Sequence, residues 1–216
     1  MVAQYEVERS QQVIVALDCG RLMTPRIGPQ RKFDHALTAA LSVAHVAQAA
    51  DDNVGLVAFA AGPLLSIAPR CGAAHVGALA RAACDLQPRL KEPDYETTFA
   101  ALKQRYAKRS LIVLFTDMFD PVASSAVLAG LATLVPRHLV MCVLMNDAAI
   151  AQALAEPPAS PRAAYRASVA MTLADERERA IAVLRSRGIL VVDVPAPALT
   201  VALFDAYLDV KARGLL

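Results

Sequence analysis

Short apolar runs alternate with longer amphipathic stretches along most of the chain. Five runs contain β-branched residues and have the length of strands that are buried on both faces. They cover residues 13–17, 54–59, 110–115, 139–144 and 189–194. A further run at 64–69 follows a tight turn that contains Gly62 and Pro63, so we expect it to pair antiparallel at a sheet edge.

The stretches between these runs have the apolar spacing of helices. The predicted helices cover 33–50, 73–86, 95–108, 121–135, 148–155, 161–187 and 198–212. Asp94 is expected to cap the third helix, and Ser160 with Pro161 is expected to begin the sixth. The alternation predicts one α/β domain over residues 1–216, with a doubly wound, mostly parallel six-stranded sheet, one antiparallel edge strand and helices on both faces.

Composition excludes several classes of protein. Hydrophobic residues make up 56% of the 216 residues and the net charge is +2, which indicates a folded domain without a strong field for nucleic acid or membrane. No apolar run has the length of a membrane span, so no membrane segment is expected in this chain. Four cysteines without a CxxC pair indicate reduced thiols and a cytoplasmic location.

The candidate chemistry lies in carboxylates that follow strands. Asp18 follows the first strand and Asp117 the fourth, while Asp94 and Asp120 lie nearby in sequence. If the two strands are neighbours, Asp18 and Asp117 meet at the carboxyl edge of the sheet, where open α/β sheets bind ligands. Hard oxygen ligands would select Mg²⁺ or a similar ion. The alternative is that each aspartate caps a helix or turn. Capping alone would explain the presence of Asp94 and Asp120.

Several segments occur in an order typical of a known family. The chain resembles von Willebrand factor A-like (vWA) domains, and in particular the bacterial family called "domain of unknown function 58". The segments that carry the resemblance are 17–23, 33–37, 52–59, 93–96, 109–117 and 206–214. The resemblance implies a metal-ion-dependent adhesion site built from an Asp-x-Ser-x-Ser run, a threonine from a later loop and an aspartate after the fourth strand.

Only part of that site is present. Asp18 matches the first aspartate and Asp117 the last, but Gly20 and Leu22 stand where the family has serines. The loss of two hydroxyl ligands leaves a degenerate site, for which we expect at most weak binding of Mg²⁺ or a similar divalent cation.

Other residues complete the expected rim. Thr97 or Thr98 is the nearest match to the family's threonine. Arg21 is expected to replace part of the cation by pairing with one of the two strand-end carboxylates. With Asp94 and Asp120, Arg21 would form a rim that binds a protein partner.

Two classes of function remain open. The resemblance implies a non-catalytic protein-interaction module, an adaptor that works with a MoxR-type AAA+ ATPase, and family members often carry membrane anchors ahead of the domain. The alternative is a metal-dependent phosphotransfer enzyme or nuclease that uses the strand-end aspartates. The sequence has no phosphate-binding glycine loop, which favours the interaction module.

Basic residues cluster near the end of the third predicted helix, at Lys103, Arg105, Lys108 and Arg109. Compensation of the helix dipole explains such a cluster. Docking of an acidic partner is the other interpretation.

Overall fold

The computed structural model describes residues 10–117, 121–146, 148–155 and 157–216. The strands are β1 (Gln12–Asp18), β2 (Arg26–Ile27), β3 (Gln30–Arg31), β4 (Asn53–Phe59), β5 (Pro63–Arg70), β6 (Leu111–Phe115), β7 (Leu139–Asn146) and β8 (Leu190–Pro195). The α-helices are α1 (Lys32–Ala49), α2 (Ala73–Ala83), α3 (Tyr95–Arg105), α4 (Pro121–Ala132), α5 (Ala148–Ala155), α6 (Pro161–Ser186) and α7 (Leu199–Ala212).

Six strands form one sheet in the order β5-β4-β1-β6-β7-β8. All neighbours are parallel except β4 and β5, which pair antiparallel across the turn at Gly62. The predicted fold class is therefore confirmed, including the antiparallel edge strand.

Two hydrophobic cores cover the sheet, one on each face. Alternate residues of β1 point to opposite faces, so Val13 and Val15 pack with α1 and α7, whereas Ile14 packs with α3, α4 and α6. The central strands read as continuous apolar runs because both of their faces are buried.

Three predicted helices end earlier than their apolar pattern suggests. The helices α2, α3 and α4 end at Ala83, Arg105 and Ala132, about one turn before the predicted residues. For α3 the reason is visible at Tyr106, whose backbone is extended and whose ring is buried in the second core. Burial of this ring ends the helix against its periodicity.

The connection between β1 and α1 contains a short antiparallel hairpin. The short strands β2 and β3 form a hairpin around Gly28, whose φ of +64° favours glycine. The hairpin leads directly into α1, so Lys32 becomes the first residue of that helix.

No helix in the described part of the chain is long and apolar enough to cross a membrane.

Candidate functional site

The two strand-end aspartates lie at the same edge of the sheet. Strands β1 and β6 are parallel neighbours, with Leu17 opposite Phe115, so Asp18 and the Thr116–Asp117 pair follow at adjacent carboxyl ends. Asp18, Thr116 and Asp117 are all completely buried. Their burial means that each carboxylate needs partners inside the protein.

Asp18 is held by neutral hydrogen-bond donors. The hydroxyls of Tyr95 and Thr116 both donate to its Oδ2 at 2.7 Å, and they lie 2.9 Å from each other. The backbone N–H of Gly20 donates to Oδ1 at 2.6 Å. Both carboxylate oxygens therefore already have donors from the protein.

The pKa of Asp18 is raised above its ordinary value. Burial is the main cause, and the neighbouring charge of Asp117 acts in the same direction. The hydrogen bonds from Tyr95, Thr116 and Gly20 oppose this shift and favour the ionised form.

Asp117 is paired with two cations. Lys32 Nζ lies 2.5 Å from its Oδ2, and Arg177 Nη1 lies 2.9 Å from its Oδ1. The second arm of Arg177 reaches Asp193 Oδ1 at 2.8 Å. We call Lys32, Asp117, Arg177 and Asp193 the ion-pair cluster.

The elements that position these cations are distant in sequence. Lys32 begins α1, whose first turn is fixed because the Asp34 carboxylate accepts the backbone N–H of Arg31 at 2.8 Å. Arg177 lies on the stripe of α6 that faces the sheet, and its side chain is only 9% exposed. Although burial disfavours its charged form, the hydrogen bonds and charges of Asp193 and Asp117 leave the pKa of Arg177 raised.

The two threonine candidates have different surroundings. Both lie in the first turn of α3, and both line a cavity at the β5 side of the sheet. Thr97 is exposed. Thr98 is buried, and its hydroxyl donates to the backbone oxygen of Asp94 at 2.7 Å. The hydroxyl from this helix that reaches Asp18 belongs to Tyr95.

The predicted rim residues take separate positions. Arg21 forms an ion pair with Glu92 at the surface. Asp94 caps α3, since its carboxylate accepts the N–H of Thr97 at 2.9 Å, in agreement with the predicted cap. Asp120 lies outside the described residues.

Close packing explains why glycine occupies position 20. A Cβ atom at Gly20 would overlap the ring of Pro93 and lie 2.9 Å from Asp18 Oδ1. A serine at this position would therefore require the loop before α3 to move. Leu22, at the second serine position, is buried in the core.

These residues do not fit the Mg²⁺ site that the resemblance implies. Mg²⁺ needs a nearly octahedral shell of oxygen ligands. Here the oxygens of Asp18 accept protein hydrogen bonds, and those of Asp117 contact the charged groups of Lys32 and Arg177. Within the described ranges, no group of three or more His, Cys, Asp or Glu side chains is placed to hold a metal ion.

Sequence reasoning did not identify Lys32, Tyr95, Thr116, Arg177 or Asp193. One signal was present: Arg177 shares a helical stripe with apolar residues that are buried against the sheet. A charged residue on such a stripe requires a buried partner, and strand-end carboxylates are the natural candidates. No local pattern identifies Lys32, because its role depends on the hairpin that precedes α1.

Comparison with known families agrees with this architecture. A family model described as "Protein of unknown function DUF58" matches residues 1–156. The chain belongs to this family. The match confirms the resemblance drawn from the ordered segments, and it includes Asp18, Lys32 and Asp117 but ends before Arg177. No curated protein sequence matches the chain.

Solved structures show the fold. The vWA domain of SpRpn10 superposes with a TM-score of 0.54 at 13% identity, covering 91% of this chain and 95% of that domain. A conserved hypothetical protein, BatB from Bacteroides thetaiotaomicron, is less similar, with a TM-score of 0.44 at 12% identity over 63% of this chain and 67% of that one. The superposition on the SpRpn10 domain and the strand order show that this DUF58 chain has a vWA-like α/β fold.

Proposed function

We propose that this DUF58 chain is a non-catalytic protein-interaction module in which the ion-pair cluster takes the place of the adhesion-site metal. The observation that carries the proposal is the pairing of buried Asp117 with Lys32 and Arg177. Two positive side chains there supply the charge that a divalent cation would supply. A carboxylate paired in this way is a poor nucleophile and a poor metal ligand.

The partner that we propose is a MoxR-type AAA+ ATPase, for which the present chain acts as a cytoplasmic adaptor. The family resemblance suggests this partner. The binding surface would be the carboxyl edge of the sheet, with Arg21, Asp94 and Asp120 at its rim. Arg21 supports this assignment because its side chain is 38% exposed and forms an ion pair with exposed Glu92 at the surface.

Binding of a purified MoxR-type ATPase to the immobilised chain tests the partner. Arg21→Glu and Asp94→Asn change the charge of the rim, and Asp94→Asn retains a capping side chain. We expect each to weaken binding by roughly tenfold if the rim is the contact, within the range of interface hot spots. Arg213→Glu, which alters an exposed pair on α7, is the matched control. Equal binding by all variants, or no binding by the unmodified chain, would contradict the proposed partner or surface.

Calorimetric titration with Mg²⁺ and Mn²⁺ tests the metal. Weak binding of a divalent cation, which the resemblance implies, stays a prediction. The ion-pair cluster argues against it. We expect no binding at low millimolar metal by the unmodified chain or by Asp18→Ala. Saturable binding that Asp18→Ala abolishes would restore the metal site.

Hydrolysis assays test the enzymatic alternative. A phosphomonoester and a single-stranded oligonucleotide, each with Mg²⁺ or Mn²⁺, cover the phosphotransfer and nuclease reactions. Activity that Asp18→Ala and Asp117→Asn both remove would favour the enzyme, whereas activity that both variants retain would indicate a contaminant.

A further inference from the structure

A second surface lies at the opposite end of the sheet and is strongly basic. Lys103 and Arg105 lie in the last turn of α3, Lys108 and Arg109 lie in the loop that leads into β6, and Arg137 lies just before β7. All five side chains are exposed. We call these five residues the basic end, since they surround the amino ends of β6 and β7.

The five residues form one continuous surface. Arg137 Nη1 contacts the backbone oxygen of Lys103 at 3.5 Å, which joins the β7 side of the surface to α3. Arg109 and Arg137 both act on His138, whose pKa is lowered by burial and then by these two charges. Neither ring nitrogen of His138 has a hydrogen-bond partner in the described part of the chain. Burial and the two neighbouring charges therefore favour the neutral form of this imidazole.

The basic end lacks neighbouring carboxylates along the chain. Residues 97–116 and 121–146 contain no Asp or Glu. The ion pairs of the described residues include none of the five cations. Helix-dipole compensation accounts for Lys103 and Arg105, but it falls off within the last turn and does not account for Lys108 and Arg109. Arg109 donates to the backbone oxygen of Leu215 at 3.2 Å, but none of these ion pairs neutralises the positive charge of the basic end.

An apolar cavity adjoins the basic end. A volume of about 160 Å³ lies between α3, the edge strand β5 and its neighbour β4, and Arg105 forms part of its wall. The rest of the wall is largely apolar and includes Val57, Phe59, Leu102 and Tyr106. A cavity of ~150 Å³ can hold benzene, so this one can receive a leucine or phenylalanine side chain.

We propose that the basic end and this cavity bind an acidic segment of a partner protein that carries a bulky apolar side chain. Its carboxylates would pair with Arg105, Lys108 and Arg109, and the apolar side chain would enter the cavity. The wall contains a few polar groups, among them Ser66, Thr97 and Arg105, but it is largely apolar, which favours an apolar protein side chain over a phosphate or a sugar. In the ranges that the structure describes, the exposed large aromatic side chain is Tyr165 on α6, and none of the basic-end helix or loop segments supplies one for base stacking. The cavity extends to Thr97, which bonds to Asp94 of the rim, but the five cations lie at the amino ends of the strands. Charge reversal in the basic end therefore tests this surface without changing a rim residue.

Fluorescence anisotropy with a labelled synthetic peptide tests the proposal. The probe is a short peptide of glutamates around a single leucine. Two companions have serine in place of the leucine or glutamine in place of the glutamates. We expect the unmodified chain to bind the probe, with weaker binding as salt is raised and with weaker binding of both companions. Arg105→Glu with Arg109→Glu should reduce the affinity by roughly tenfold.

A second charge reversal separates a local site from the effect of net charge. Arg162 and Arg166 are exposed on α6, and Arg162→Glu with Arg166→Glu changes the net charge by the same amount. Thermal melting and circular dichroism verify that both double variants are folded. Retained affinity in the α6 variant supports the proposal, whereas an equal loss in both variants overturns it. Absence of probe binding, equal binding of the serine peptide, or preferential binding of an oligothymidylate would also overturn it.

Discussion

Removal of Arg177 tests directly whether the ion-pair cluster holds the site together. Arg177→Met keeps most of the side-chain volume but removes the hydrogen bonds to Asp117 and Asp193. A hydrogen bond to a charged group contributes about 1.5–3 kcal/mol. The Asp193 bond is discounted because that carboxylate is 19% exposed and retains some solvent.

The expected loss of unfolding free energy is about 3–5 kcal/mol, the range for breaking a buried pair. Because Asp117 keeps Lys32 as a partner, we expect a loss of unfolding free energy near the lower end of this range. For a chain of this size each kcal/mol lowers the melting temperature by about 2–4 °C, so a decrease of roughly 6–20 °C follows.

Chemical denaturation at neutral pH with two spectroscopic probes measures this loss. Arg213→Met is the matched control, because Arg213 and Asp209 form an exposed pair in which both side chains are 59% exposed. That variant should change the free energy of unfolding by less than about 0.5 kcal/mol. A loss below about 1 kcal/mol in Arg177→Met, or equal losses in both variants, would refute the view that the ion-pair cluster stabilises the fold.

Three further measurements examine neighbouring features. Burial raises the pKa of Asp18 in the folded protein, so protonation of this carboxylate stabilises the folded state. This contribution is fully present below the ordinary pKa of 3.8, and it is lost as pH rises through the higher pKa of the folded state. Asp18→Asn should therefore lose stability relative to the unmodified chain as pH falls through that window, and parallel curves would show that the pKa is not raised. Gly130→Ala should destabilise by roughly 1–2 kcal/mol in urea unfolding, since its Cβ would overlap the buried Phe99 ring, whereas Gly62→Ala meets no atom within 4 Å and should be nearly neutral. The Cys19 thiol, with its pKa raised to about 12 mainly by burial, should react with iodoacetamide only after unfolding, and rapid labelling of Cys19 itself, separated by peptide mapping from the exposed Cys71 and Cys84, would contradict its burial.

The sequence by itself determined the fold and the place of the site. Apolar runs such as 111–115 can be buried on both faces only if helices cover the sheet, and this requirement leads to the doubly wound arrangement. Asp18 and Asp117 were identified because residues that follow parallel strands lie at one edge, and β1 and β6 are neighbours there. The capping roles of Asp94 and Ser160 could also be predicted from the local sequence, because each side chain accepts a hydrogen bond from the backbone N–H three residues later.

Only the tertiary structure decided what surrounds those carboxylates. Lys32 lies 85 positions from Asp117 and Arg177 lies 60 positions away, so no spacing motif links them. Tyr95, 77 positions from Asp18, reaches that carboxylate because α3 packs across the end of β1. A buried charge requires compensation, but elementary electrostatics allows the compensating charge to be a metal ion or a side chain. Side-chain packing brings Lys32 and Arg177 to Asp117, and this pairing is the basis of the proposal that an ion-pair cluster takes the place of the metal.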